Sequence, residues 1–159
     1  MNWWKQFKPK GCSVRLKATE KEGLLQELID NMVVAQLLSE ELRESAVKAL
    51  REREQLGSTG VGQGVAIPHV KLEGIARAVC SLSIHEEGID WAAVDGAPVR
   101  IFFTVLRPPE ASPAHDPERH LDMMRWIAKL ARESDFRRFA TSARTKTELV
   151  GLLKEMSTV

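Results

Sequence analysis

Pro98–Leu106 is nearly continuous in apolar character, interrupted only by Arg100 and Thr104. A run of this kind reads as a strand buried on both faces. It has to sit inside a sheet with layers packed on either side, and the flanking sequence supplies helices for those layers. Leu24, Leu25, Leu28, Ile29 and Met32 form a helical stripe behind Thr19 and Glu22, which have capping-box spacing. Ser39 is placed to cap a second helix with Glu40 and Glu41 in its first turn. Leu42, Ala46, Ala49 and Leu50 line one face of that helix, and Gly57 is a suitable stop. Helices before, between and after a few buried strands mean α/β layers around one sheet. At 159 residues and 43% hydrophobic content, the chain is the size of one domain with a real core.

The remaining elements follow from turn and cap chemistry. Cys12–Lys17 alternates like a short strand behind a basic, aromatic arm holding Trp3, Trp4 and Phe7. This places an arm at residues 1–11 and the domain at residues 12–157. The arm is expected to pack on the domain's own surface or on a dimer mate. Ala78–Ile84 reads as a strand, followed by turn signals at Glu86–Gly88 and Asp95–Gly96. Arg107–Pro117 holds four of the seven prolines and reads as a loop. Asp116–Pro117 then opens a helix with an apolar stripe of Leu121, Met124, Ile127, Ala128 and Ala131. Ser134 opens a short helix, and Thr145 with Glu148 caps a last one carrying Leu149, Leu152 and Leu153.

Several function classes drop out. Lys plus Arg is 23 against 22 for Asp plus Glu, a net charge of +1, so no nucleic acid or anionic membrane partner is indicated. No apolar run approaches the roughly 18 residues of a membrane span. The N-terminal stretch has no hydrophobic signal region, and Cys12 and Cys80 are too few for a disulfide framework. A reduced, cytoplasmic domain is expected. Gly60-Val-Gly62-Gln-Gly64 is no dinucleotide fingerprint, and no Walker-type or GxSxG sequence is present. The histidines His69, His85, His115 and His120 have no zinc-ligand spacing, so no zinc site is indicated.

What remains is Arg53 followed by Gly57-Ser-Thr-Gly-Val-Gly-Gln-Gly-Val-Ala-Ile-Pro-His69. A glycine-rich turn can bring backbone N–H groups to an oxyanion. An apolar run then delivers one histidine, with Pro68 fixing the backbone before it. His69 is either a nucleophile for a phosphoryl group or a half-buried structural histidine.

The segment from Gly57 to His69 resembles the active-site signature of the enzyme IIA domains of the fructose–mannitol class. These are phosphocarriers of the phosphoenolpyruvate-dependent sugar phosphotransferase system. The Ser-Thr-Gly wording is closer to the fructose and nitrogen-regulatory branches than to the mannitol branch. The similarity continues through Val79–Ile84, Ala97–Leu106 and His120–Leu130, covering about residues 12 to 156. The resemblance implies a three-layer α/β/α single domain with a mixed central sheet. It makes His69 the phosphorylated residue, with Nε2 bonding to phosphorus and Nδ1–H held by a backbone carbonyl. Arg53 and His120 match the assisting arginine and second histidine, with Ser58, Thr59 or backbone N–H groups adding hydrogen bonds. The alternative for Arg53 is a helix-end cap, and for His120 an exposed helix-start residue. At that helix start, the dipole would keep His120 neutral. His85 and His115 match no functional position and are expected at the surface. Val70, where glycine or alanine commonly follows the histidine, and the proline-rich loop before His120 depart from the family pattern.

The resemblance implies an upstream donor similar to the phosphocarrier HPr, with no metal or dissociable cofactor. Downstream stand regulatory target proteins, as in the nitrogen branch, or a IIB domain, as in sugar uptake. A non-catalytic binding module with the same fold is the third reading. The oligomeric state is left open.

Overall fold

A computed structural model describes residues 2–157. Among the described residues, five α-helices and five strands make one α/β domain: α1 Lys21–Val34, α2 Arg43–Leu56, β1 Gly60–Gly62, β2 Val65–Ala66, β3 His69–Lys71, β4 Val79–Ile89, β5 Val99–Arg107, α3 Pro117–Ala131, α4 Ser134–Ser142 and α5 Lys146–Glu155. The apolar run becomes β5, which runs antiparallel to β4 on one side and parallel to β2 and then β3 on the other. The sheet is therefore mixed. From Ile101 on, alternate residues of β5 feed two cores, and Val99, beyond the register shift to β4, lies out of that alternation. Ile101, Phe103 and Val105 pack with α3, α4 and α5, whereas Val99, Phe102 and Leu106 pack with α1 and α2. That is the three-layer arrangement expected of a strand apolar on both faces.

The aromatic arm belongs to this packing. Phe7 is 1% exposed, stands edge-on to Phe103 at 6.0 Å and lies beside Trp126. Trp3 and Trp4 are partly buried against the same core. This explains why α3 turns a different face inward from the one its periodicity suggests. Met123, Trp126, Ile127, Leu130 and Ala131 are buried, while Leu121 is 50% exposed and Ala128 is exposed.

Three other local expectations are corrected. Cys12–Lys17 is no strand. It makes one parallel bridge, Ser13 to Ser83, and Leu16 N–H donates to the Ile84 carbonyl at 2.9 Å, with Val14 and Arg15 outside any ladder. Thr19 and Glu22 form no capping box; α1 begins after Glu20 without a side-chain cap. The Glu27 carboxylate holds the entry instead, accepting from the N–H groups of Lys17 and Ala18. Glu86–Gly88 is no turn between strands but an irregularity inside β4, where the register to β5 shifts between Ile84 and Ile89.

The cap at α3 forms as its chemistry requires. Asp116 accepts from Glu118 N–H at 3.0 Å and Pro117 occupies the first turn. Asp116→Ala is expected to lower stability by about 1 kcal/mol, read as a drop in the urea midpoint at unchanged slope.

Candidate functional site

The glycine segment folds as a hairpin. β1 and β2 join through Gln63 and Gly64, both left-handed at φ 60 and 77, as a two-residue type I′ connection demands. Gly60 is there for space: a Cβ would meet the Ala93 Cβ at 2.7 Å. The chain then passes Pro68, whose carbonyl accepts from Val105 N–H at 2.9 Å, and enters β3 at His69. The His69 ring is exposed, and its Nδ1 lies 2.8 Å from the Ile67 carbonyl. A carbonyl only accepts, so Nδ1 carries the proton and Nε2 keeps its lone pair.

His120 sits in the first turn of α3, half-buried. Burial is the main cause pulling its pKa from 6.5 down to about 4, followed by the electrostatic influence of Arg107, His115 and His69. Burial above all therefore keeps the ring neutral at neutral pH, as expected. His120 should titrate near pH 4 by NMR, and a midpoint at or above 6.5 would overturn this. Because folding disfavours the imidazolium, the unfolded chain binds this proton more readily. Stability should therefore fall as pH drops from 6.5 towards 4, and His120→Gln should remove that part of the dependence.

The two histidines assigned to the surface are buried. His115 is 5% exposed, because Ser112 and His115 pair through both backbone bonds and fold the proline-rich loop inward. Its ring meets His120 edge-on at 5.3 Å, and its Nε2 has no hydrogen-bond partner among the described residues. Both histidines line a cavity of about 240 Å³ together with Trp3, Arg77 and Arg119. His85 is 7% exposed and structural: Nε2 donates to the Ala18 carbonyl at 2.7 Å and Nδ1 accepts from Gly88 N–H at 2.9 Å.

Arg53 lies in the last turn of α2 and donates through Nη1 to the Gly57 carbonyl at 2.7 Å, the helix-end arrangement. Ser58 and Thr59 do not present free hydroxyl protons. Ser58 Oγ donates to the Trp91 carbonyl at 2.6 Å, and the Thr59 hydroxyl, on a residue 4% exposed, donates to Glu54. Loop amides are also occupied: Thr59 N–H by Glu54, Gly60 N–H by Ser58 Oγ and Gln63 N–H by Asp95. The Gln63 and Ala97 amides hold the Asp95 carboxyl below its ordinary pKa. The loop thus uses its polar groups to fix its own shape, with the Ser58 and Thr59 hydroxyl protons given to the Trp91 carbonyl and to Glu54.

Glu54 is the residue that sequence reasoning missed. Its carboxylate, on a side chain 4% exposed, accepts from Lys21 Nζ at 2.8 Å and Trp91 Nε1 at 3.3 Å as well as from Thr59. Lys21 also donates to the Trp91 carbonyl and stands 4.7 Å from the Trp91 ring centre. Three segments distant in sequence meet there, and no local pattern marks them.

A mixed-sheet α/β/α domain with an exposed histidine at the start of a parallel strand behind a glycine hairpin is the architecture of an enzyme IIA-type protein. Over 143 residues the chain is 35% identical to the nitrogen regulatory protein of Pseudomonas aeruginosa, covering 90% of this chain and 88% of that protein. It is 32% identical over 136 residues to the PTS system fructose-specific EIIA component of Haloferax volcanii, covering 86% and 84%. The crystal structure of nitrogen regulatory protein IIA-Ntr from Neisseria meningitidis superposes with a TM-score of 0.82 at 26% identity, covering 94% of this chain and 97% of that one. The family pattern described as phosphoenolpyruvate-dependent sugar phosphotransferase system, EIIA 2, matches residues 5–156, and the chain belongs to that family.

Proposed function

We propose that the protein is a phosphocarrier that accepts a phosphoryl group on Nε2 of His69 from a phosphohistidine on an HPr-like donor. The observation that carries the reading is the bond from Nδ1–H to the Ile67 carbonyl, which leaves Nε2 unprotonated on an exposed ring. The Nε2 lone pair forms the new N–P bond as the donor's N–P bond breaks, and that electron pair stays on the donor nitrogen. Nδ1 keeps its proton throughout, so no base is required. The group moves with one net negative charge, which the site gains. His120, neutral and half-buried, is assigned as a hydrogen-bond donor to the phosphoryl oxygens, and Arg53 as a cation at the mouth of the loop. No helix among the described residues is long and apolar enough to cross a membrane, and the reading places the protein in the cytoplasm.

Similarity to two nitrogen regulatory proteins at 35% and 32% identity favours a regulatory output, in which the unphosphorylated form binds target proteins. The 32% identity to a fructose-specific EIIA component supports a second reading, transfer onward to a IIB domain. Incubation with phosphoenolpyruvate, Enzyme I and HPr or its nitrogen-branch paralogue should add one acid-labile phosphoryl group by intact mass. No adduct with either donor would leave a non-catalytic binding module as the better reading. Loss of label on adding a IIB domain would select transport, and target binding blocked by phosphorylation would select regulation.

A further inference from the structure

Arg107 ends β5, and the ladder to β3 fixes the way it faces. His69 pairs with Val105, Val70 with Leu106 and Lys71 with Arg107. Residues paired across a ladder stand on the same face, and that face recurs every second residue. Val105 and Ile67 lie in the core under α3–α5, whereas Leu106 lies in the core under α1 and α2, with Val70 packed against it. His69 and Arg107 therefore project from the same face of the sheet, on the α3 side, where β3 and β5 both run out. His120 stands on the first turn of the helix covering that face.

Two further observations concern the guanidinium itself. Its charge weighs on the His120 ring more than that of either neighbouring histidine. Arg107 is half-buried, yet among the described residues its side chain has no carboxylate and no hydrogen-bond acceptor as partner. Arg53, by contrast, is bonded to Gly57 at the end of α2.

We propose that Arg107 is a phosphoryl-binding residue, its guanidinium taking oxygens of the group on His69 from the α3 side of the sheet, beside His120. This rests on the reading of His69 as the acceptor. The group delivers one net negative charge to a site whose second histidine is neutral, so the compensating charge has to stand on an arginine. A planar guanidinium also matches two phosphoryl oxygens at once, which an imidazole cannot do. Arg53, bonded to Gly57, stands at the mouth of the loop on the α2 side, and Arg107 meets the charge from the α3 side.

The test uses the full-length protein with phosphoenolpyruvate, Enzyme I and the competent carrier, comparing wild type, Arg107→Gln and Arg107→Lys. Single-turnover transfer is followed by quench-flow, and the His120 ring is titrated by NMR in each protein. Arg107→Gln should slow transfer about 100-fold and raise the His120 midpoint, because a positive neighbour is gone. Arg107→Lys should recover part of the rate and most of the His120 midpoint, since it restores the charge but not the fork. A labelled wild type with Arg107→Gln at the same rate would overturn the assignment and leave the His69 reading standing. Equal slowing in Gln and Lys variants with an unmoved His120 titration would also overturn it, as a packing effect. A wild type that takes no label would remove the His69 reading, and this one with it.

Discussion

His69→Ala is expected to abolish phosphorylation while changing stability by no more than about 0.5 kcal/mol. The ring is exposed and makes one hydrogen bond, to a carbonyl two residues back, so its removal opens no cavity. No other histidine can take over. His85 uses both nitrogens on backbone partners, and His115 is 5% exposed behind a closed loop. His120 is half-buried and, in this reading, aligned on the phosphoryl group rather than on the donor phosphorus. Intact mass after incubation with the donor pair should show no shift of one phosphoryl group, with an unchanged urea midpoint. Label at the wild-type level, or label mapped to His85, His115 or His120, would refute the assignment of His69.

What could be read from the sequence was whatever depends on neighbours within a few residues. The apolar β5 run announces a strand packed on both faces, and Asp116–Pro117 announces a helix start, because those constraints act locally. The Gly57–His69 segment could be located for the same reason, and the helical stripe of α1 is buried as its spacing requires. Distant contacts decided the remainder. His85 is drawn inward by the Ala18 carbonyl, far back in the chain, and no periodicity encodes that bond. The inward face of α3 follows from Phe7 reaching Trp126 from the arm. Gly88 looks like a turn residue and instead sits in an irregular β4, its φ of 91 allowing the register shift while its N–H bonds His85. The Thr59 hydroxyl looked available to a ligand, but Glu54, one turn earlier, turns it inward.

Glu54→Ala should be the most destabilising single change at the site, by about 3 kcal/mol, the lower end of the cost of breaking a buried ion pair from one side. The carboxylate is nearly enclosed, and its removal takes the acceptor from Thr59 N–H and the Thr59 hydroxyl, while Trp91 Nε1 keeps only the Thr59 hydroxyl oxygen at 3.0 Å. Lys21 keeps the Trp91 carbonyl and the indole face, and its 27% exposure lets water reach the ammonium, which holds the loss at that lower end. For a chain of this size, 3 kcal/mol is a fall of roughly 6–12 °C in Tm. Glu54→Gln retains an acceptor oxygen and should lose less. Pairing Glu54→Leu with Lys21→Met should recover part of the loss, because a buried ion pair replaced on both sides leaves no stranded charge. The same variants report on function, since Glu54 holds Thr59 and Trp91, and through them the root of the hairpin that leads to His69. Glu54→Ala should therefore accept phosphate more slowly even at temperatures where it is fully folded. An Ala variant within 1 kcal/mol of wild type would mean that the packing of Gly60 on Ala93, and not this polar network, holds the hairpin in place.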